Sequence, residues 1–149
     1  MSTDRTNVRE VATARHAEQG SFSQDGRRIV FEQRDAVHEE IRASQIVVAW
    51  PDGREPRVVA TGTDPSWSRD GRSILFKTWD PGSRKLWIAT VSPTASESRR
   101  LAPGVHPHWS RDGARIAFMR DRDDGGADIW VMARDGADAR CLTCSAPFR

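Results

Sequence analysis

The sequence has no apolar run long enough to cross a membrane. The longest, Ile46 to Trp50, is far short of the roughly 20 residues that a helical span requires. Met1 to Glu10 has no apolar core of the kind found in a signal peptide. Taken as written, the chain is expected to stay in the cytosol, and to be periplasmic or extracellular only if a signal-bearing precursor exists. Cysteine is scarce as well. Cys141 and Cys144 are too few for a disulfide framework and agree with a reducing compartment. Neither charge is in excess: 23 basic and 21 acidic side chains leave +2, and Arg alternates with Asp or Glu instead of forming a basic stripe. Nucleic acid and membrane are therefore not expected partners. There is no Gly-x-Ser-x-Gly, no phosphate loop and no dinucleotide fingerprint, so the chain is expected not to be an enzyme and to use no cofactor.

What is present is a single-domain length of 149 residues, with 30% charged and 37% apolar residues and with 11 Gly and 8 Pro spread along it. That balance fits a folded, turn-rich protein. One pattern organises nearly all of it. Phe22-Ser-Gln-Asp-Gly-Arg-Arg-Ile-Val-Phe31 recurs as Trp67-Ser-Arg-Asp-Gly-Arg-Ser-Ile-Leu-Phe76 and as Trp109-Ser-Arg-Asp-Gly-Ala-Arg-Ile-Ala-Phe118, at spacings of 45 and 42 residues. Each block reads as a β-hairpin, with Asp25-Gly26, Asp70-Gly71 and Asp112-Gly113 supplying the φ > 0 positions of a tight turn. After each turn an Ile and a Phe fall two apart, on one face of the second strand.

Third strands follow as Gln45–Ala49, Lys85–Ala89 and Asp128–Met132, and fourth strands end at Val59, Leu101 and Leu142. The predicted fold is all-β: three four-stranded antiparallel β-propeller blades, over about residues 14–60, 61–102 and 103–144, with a partial strand at each end. Residues 1–7 read as a polar tail and 8–149 as the propeller domain. Arg9-Glu-Val-Ala-Thr13 resembles Arg57-Val-Val-Ala-Thr61 and reads as an outer strand for another blade.

The pattern resembles the TolB-type, WD-like β-propeller repeat. Blade three carries it best, with Pro107-His-Trp-Ser-Arg-Asp-Gly113, Ile116-Ala-Phe118, Asp128-Ile-Trp-Val-Met132 and Leu142-Thr143. Three blades stand where members usually have six, and Gln24, Arg69 and Arg111 replace the Pro before Asp-Gly. The resemblance implies a binding module. Three blades leave two blade faces uncovered, so the chain is expected to be half of a six-bladed ring closed by a second copy, with Phe22, Phe31, Trp109 and Phe118 at the assembly interface. A piece of a longer gene product is the rival. The alternative functions are the detached propeller half of a serine peptidase or similar hydrolase, and a lectin-like or small-ligand binder using the central channel.

Blade one carries an insert between its second and third strands, where Asp35 to Arg42 places Val37 and Ile41 at helical spacing. That loop and the linkers Thr61–Pro65 and Ala102–Pro107 open on one end, which is the candidate binding surface. Its predicted contact residues are His38, Glu39, Asp64 and His106, with Trp50 and Trp79. Those two tryptophans fall outside the repeat register, whereas Trp67, Trp87, Trp109 and Trp130 occupy repeat positions.

No metal site is expected. His38-Glu39-Glu40 lacks the second His of a zinc-protease helix, since Arg42 stands there, and Asp121 to Gly126 lacks the spacing of a calcium loop. Cys141 and Cys144 read as structural or incidental. Three residues apart on an extended strand they would lie roughly 10 Å apart, beyond disulfide reach, and roughly 14 Å from His106 and His108.

Overall fold

The computed structural model describes residues 17–34 and 44–144. Among these residues twelve strands form three antiparallel sheets, each a four-stranded meander. Blade one comprises β1 (Ala17–Phe22), β2 (Ile29–Gln33), β3 (Gln45–Ala49) and β4 (Arg57–Thr61). Blade two comprises β5 (Thr63–Trp67), β6 (Ile74–Asp80), β7 (Lys85–Val91) and β8 (Ser98–Pro103). Blade three comprises β9 (Val105–Trp109), β10 (Arg115–Asp121), β11 (Ala127–Ala133) and β12 (Arg140–Cys141). No helix occurs among the described residues. The insert of blade one and the strand expected at Arg9–Thr13 lie outside them.

The blades pack face to face, β5 against β1 and β2, and β9 against β6 and β7. Alternation of side chains across each strand divides the core into layers between neighbouring blades. Val30, Ile46, Val48 and Val59 of blade one meet Ile74, Phe76, Ala89 and Val91 of blade two. Leu75, Ile88 and Ala102 on the other face of blade two meet Ile116, Phe118 and Met132 of blade three. The linkers pass close under the aromatic rings. Gly62 N–H donates to Ser44 O at 2.9 Å and Gly104 N–H to Leu86 O at 3.0 Å, each tying a linker to the third strand before it.

The Asp-Gly turns work differently from the expected two-residue turn. Only the glycine has positive φ: Gly26 at 68°, Gly71 at 68° and Gly113 at 71°. The reversal starts one residue earlier, with Gly26 N–H donating to Ser23 O at 2.9 Å, and likewise Gly71 to Ser68 at 3.0 Å and Gly113 to Ser110 at 2.9 Å. The aspartate serves as an acceptor instead. Asp25, Asp70 and Asp112 each take the hydroxyl of the serine two residues upstream at 2.6 Å. Each also takes the amide two residues downstream, at 3.0–3.1 Å. The repeated Ser-x-Asp-Gly is thus one hydrogen-bonded unit.

Strand register corrects one alignment. Phe31, Phe76 and Phe118 lie opposite Val47, Ala89 and Trp130, so Trp87 stands two residues ahead of the Trp130 position. Ile88, not Leu86, is the counterpart of Ile46 and Ile129.

Candidate functional site

The first strand of every blade bulges at the same place. Gln19, Asp64 and His106 have φ of 54°, 56° and 52°, and ladder pairing is interrupted around each. Non-glycine residues rarely adopt this region, and bulges of this kind re-aim side chains. Pro65 and Pro107 follow two of them, where a missing N–H leaves no ladder bond unmade. Asp64 and His106, both predicted contact residues, therefore hold equivalent positions near the linker end of their blades.

Around Asp64 a polar cluster forms. Its carboxylate pairs with Lys77 Nζ at 2.8 Å. Its N–H donates to Glu32 Oε2 at 3.3 Å. Glu32, only 1% exposed, also receives Arg34 Nε at 2.9 Å. Sequence reading missed Glu32 and Lys77. Both directly follow the second-strand Phe, where blade three has Met119, and that departure from an apolar position was the available signal. Trp79 is half-buried near the same end, lining a hollow of about 400 Å³ with Val58, Thr61 and Arg100. His106 is exposed. His38 and Glu39 lie outside the described residues.

Trp50 belongs to the opposite end, in the turn after β3. Arg28 stacks on its ring at 3.7 Å and its Nε1 donates to Glu55 Oε2 at 3.1 Å. Both partners line a groove of about 710 Å³ between the turns of blades one and two, floored by Trp67. Two side chains that close the next seam are replaced here. Between blades two and three, Arg69 Nη1 donates to Arg111 O at 3.1 Å and Arg134 pairs with Asp70 at 2.9 Å. Strand register puts Gln24 where Arg69 stands and Pro93 where Arg134 stands, and both line the groove. Trp109 Nε1 reaches Ser66 O at 3.5 Å across the closed seam, while at the open one the buried Trp67 Nε1 has no partner among the described residues. The serine hydroxyl and Arg134 together hold the Asp70 carboxyl well below the usual carboxylate range.

The predicted assembly residues divide. Phe118 is 2% exposed and packs, with Trp109, against blade two, so these two are not on an open face. Strand alternation, read one residue out of phase, explains the difference: the open face of blade three carries Ala117, Met119, Ile129 and Val131. Ile129 is 39% exposed, while its counterparts Ile46 and Ile88 are fully buried. On blade one, Phe22 is 64% exposed but Phe31 is buried with Val47 and Ala49.

The cysteine geometry is also corrected. β12 ends at Cys141 and the chain turns through Leu142–Cys144, which brings the two Cα atoms to 5.7 Å and joins the sulfurs in a disulfide. The expected extended strand is not there.

No protein-family model and no curated protein matches the chain. Solved structures do. A putative TolB from Agrobacterium tumefaciens is similar at 22% identity and TM-score 0.74, over 92% of this chain and 50% of that one. A puromycin-hydrolyzing peptidase from Mycobacterium tuberculosis is similar at 20% identity and TM-score 0.71, over 95% of this chain and 24% of that one. The β-propeller domain of the Trilobed protease from Pyrococcus furiosus, described as having an open velcro topology, is similar at 14% identity and TM-score 0.62, over 88% of this chain and 45% of that one. The likeness shows the fold, that of TolB-type β-propeller blades. This chain spans half the length of the TolB structure.

Proposed function

We propose that these TolB-type propeller blades act as a non-catalytic binding and self-assembly module, completed by a second copy on the open face of blade three. The observation that carries this reading is the exposure of Ile129, beside a half-buried Ala117, where blades one and two fully bury the same positions as Ile46 and Val30 and as Ile88 and Leu75. Taking a fully exposed aliphatic side chain out of water gains about 1.5–3 kcal/mol, of which Ile129, 39% exposed, offers about 0.6–1.2 kcal/mol, and a blade of the same repeat is complementary to that face. Head-to-tail closure sets the Phe22 side of a second copy there and makes six blades.

Light scattering on the eluted full chain tests this. A mass near twice 16.7 kDa is expected, with Ile129→Arg giving a folded monomer that melts cooperatively. Wild-type monomer at micromolar concentration, with Ile129→Arg no different, overturns self-assembly.

A second reading is favoured by the peptidases among the similar structures: the open face is covered by blades of a hydrolase-bearing polypeptide. Under it the chain is monomeric alone, and its blade-three face binds a hydrophobic dye that Ile129→Arg abolishes.

A further inference from the structure

Blade three ends in a small cluster that the assembly reading does not use. Beside the Cys141–Cys144 pair stands Asp128, the second residue of β11 and only 5% exposed. Its Oδ1 accepts the Thr143 hydroxyl at 2.8 Å and lies 3.5 Å from Arg122 Nη1. Its Oδ2 is aimed at Cys144 Sγ, 3.4 Å away. Donor atoms of Asp128, Cys141 and Cys144 all lie within 4.8 Å of one another. The Cys144 N–H points at Cys141 Sγ at 2.9 Å, a contact that stabilises negative charge on that sulfur.

In the disulfide, Cys144 Sγ carries no proton, so the buried Oδ2 faces a group unable to donate to it. Reduction changes what the cluster offers: two sulfurs that can ionise and one carboxylate oxygen, converging from a turn and from the neighbouring strand. We propose that the reduced chain binds one Zn²⁺ through Cys141 Sγ, Cys144 Sγ and Asp128 Oδ2, leaving the fourth tetrahedral position to water. With Zn–S near 2.3 Å, tetrahedral sulfurs stand about 3.8 Å apart, which side-chain rotation can reach from Cα atoms 5.7 Å apart. The half-buried Cys141 and exposed Cys144 are open to reductant and cation, and Thr143 fixes the carboxylate from behind, as second partners of metal ligands do.

The balance is complete with a phosphine as reductant. It takes the oxygen of one water to become the phosphine oxide, the sulfur–sulfur bond accepts two electrons, and the two thiols receive the two water protons. Zn²⁺ then displaces those two protons to the buffer. A small-molecule disulfide returns the pair to its first state: it takes the two electrons and leaves as two thiolates, the Cys141–Cys144 bond re-forms, and the ion is released.

Cobalt is the probe, because tetrahedral thiolate sites give Co²⁺ visible bands and a near-ultraviolet charge-transfer band. Full-length protein reduced with phosphine and desalted anaerobically should take up one Co²⁺ per chain, displaced by equimolar Zn²⁺, while wild-type protein left oxidised shows no bands. This comparison needs no variant. Cys141→Ser with Cys144→Ser should abolish the bands. Asp128→Asn, which keeps an acceptor for Thr143 but removes a direct ligand, should weaken Zn²⁺ binding by at least the roughly 10–100-fold that loss of an outer-shell partner costs, at an unchanged melting temperature. Absence of the bands in reduced wild type, equal Zn²⁺ binding by the double serine variant, or full affinity in Asp128→Asn overturns the site.

Discussion

Replacing Gly104 by Ala adds a single carbon at the tightest point of the blade two–three linker. That carbon would stand 2.6 Å from Phe118 Cδ2 and 2.7 Å from Met119 O, closer than real Cβ contacts come. Neither neighbour yields easily. Phe118 is locked in the layer between blades two and three, and Met119 belongs to β10, paired on both sides. Gly104 has no positive φ, so the effect is steric, and overpacking of this kind costs about 1–3 kcal/mol. Against it, Ala restricts the unfolded chain and stabilises by about 0.4–1 kcal/mol wherever its backbone conformation is allowed. Gly82→Ala supplies the control: its added carbon meets only the Asp80 carboxylate, at 3.8 Å, and gains the same entropic term without the clash. At about 2–4 °C per kcal/mol for a domain near this size, Gly104→Ala should melt roughly 2–12 °C below Gly82→Ala, by circular dichroism or tryptophan fluorescence. Blade one has Ala17 at the equivalent place, where it is exposed and follows no described blade, so the argument rests on the linker passing beneath a ring. Melting of Gly104→Ala within about a degree of the control would refute that close approach.

Gly113→Val should lower the melting temperature by several degrees, because a β-branched residue at a φ of 71° is strained by roughly 1–3 kcal/mol. An unchanged melt would contradict the turn geometry. The Asp25, Asp70 and Asp112 carboxyls are all held below the usual range, chiefly by the serine hydroxyl two residues before each. Their folded pKa lies below the unfolded value, so this stabilisation is complete above a pH of about 4 and is lost as pH falls further. Asp70→Asn should flatten the decline of melting temperature between about pH 4 and pH 2, and a variant with the wild-type slope would refute the assignment. Cys141→Ser with Cys144→Ser should keep fold and assembly, since a loop this short contributes at most about 2 kcal/mol by chain entropy. Loss of the cooperative melt would contradict it.

The blades were legible because Ser-x-Asp-Gly, the Ile-x-Phe pair and the aliphatic third strand are each tied to a repeated backbone feature. Which face each residue presents was less legible. Strand alternation tells which residues share a face but not which face meets which neighbour, so Phe118 and Trp109 were expected on the open face that Ile129 in fact occupies. The groove between blades one and two depends on Gln24 and Pro93 failing to bridge, a relation between side chains in different blades that no single repeat displays. The cysteine pair was misjudged because β12 was read as a full strand, whereas it ends at Cys141. Asp64 and His106 were chosen for their place in the linkers. The bulge that makes them equivalent leaves no signature beyond the prolines that follow.

The kink shared by Gln19, Asp64 and His106 is held by paired residues on either side of it, and not by the side chain at its apex. The positive φ disfavours β-branched residues there, and within that limit the three blades have taken an amide, a carboxylate and an imidazole. Each blade carries one such interchangeable position at the same height on its first strand. A further blade, from a second copy or another polypeptide, adds a letter to the same line. Read along the blades the line spells a short word in side-chain chemistry, which substitution can respell without disturbing the apolar layers between the sheets.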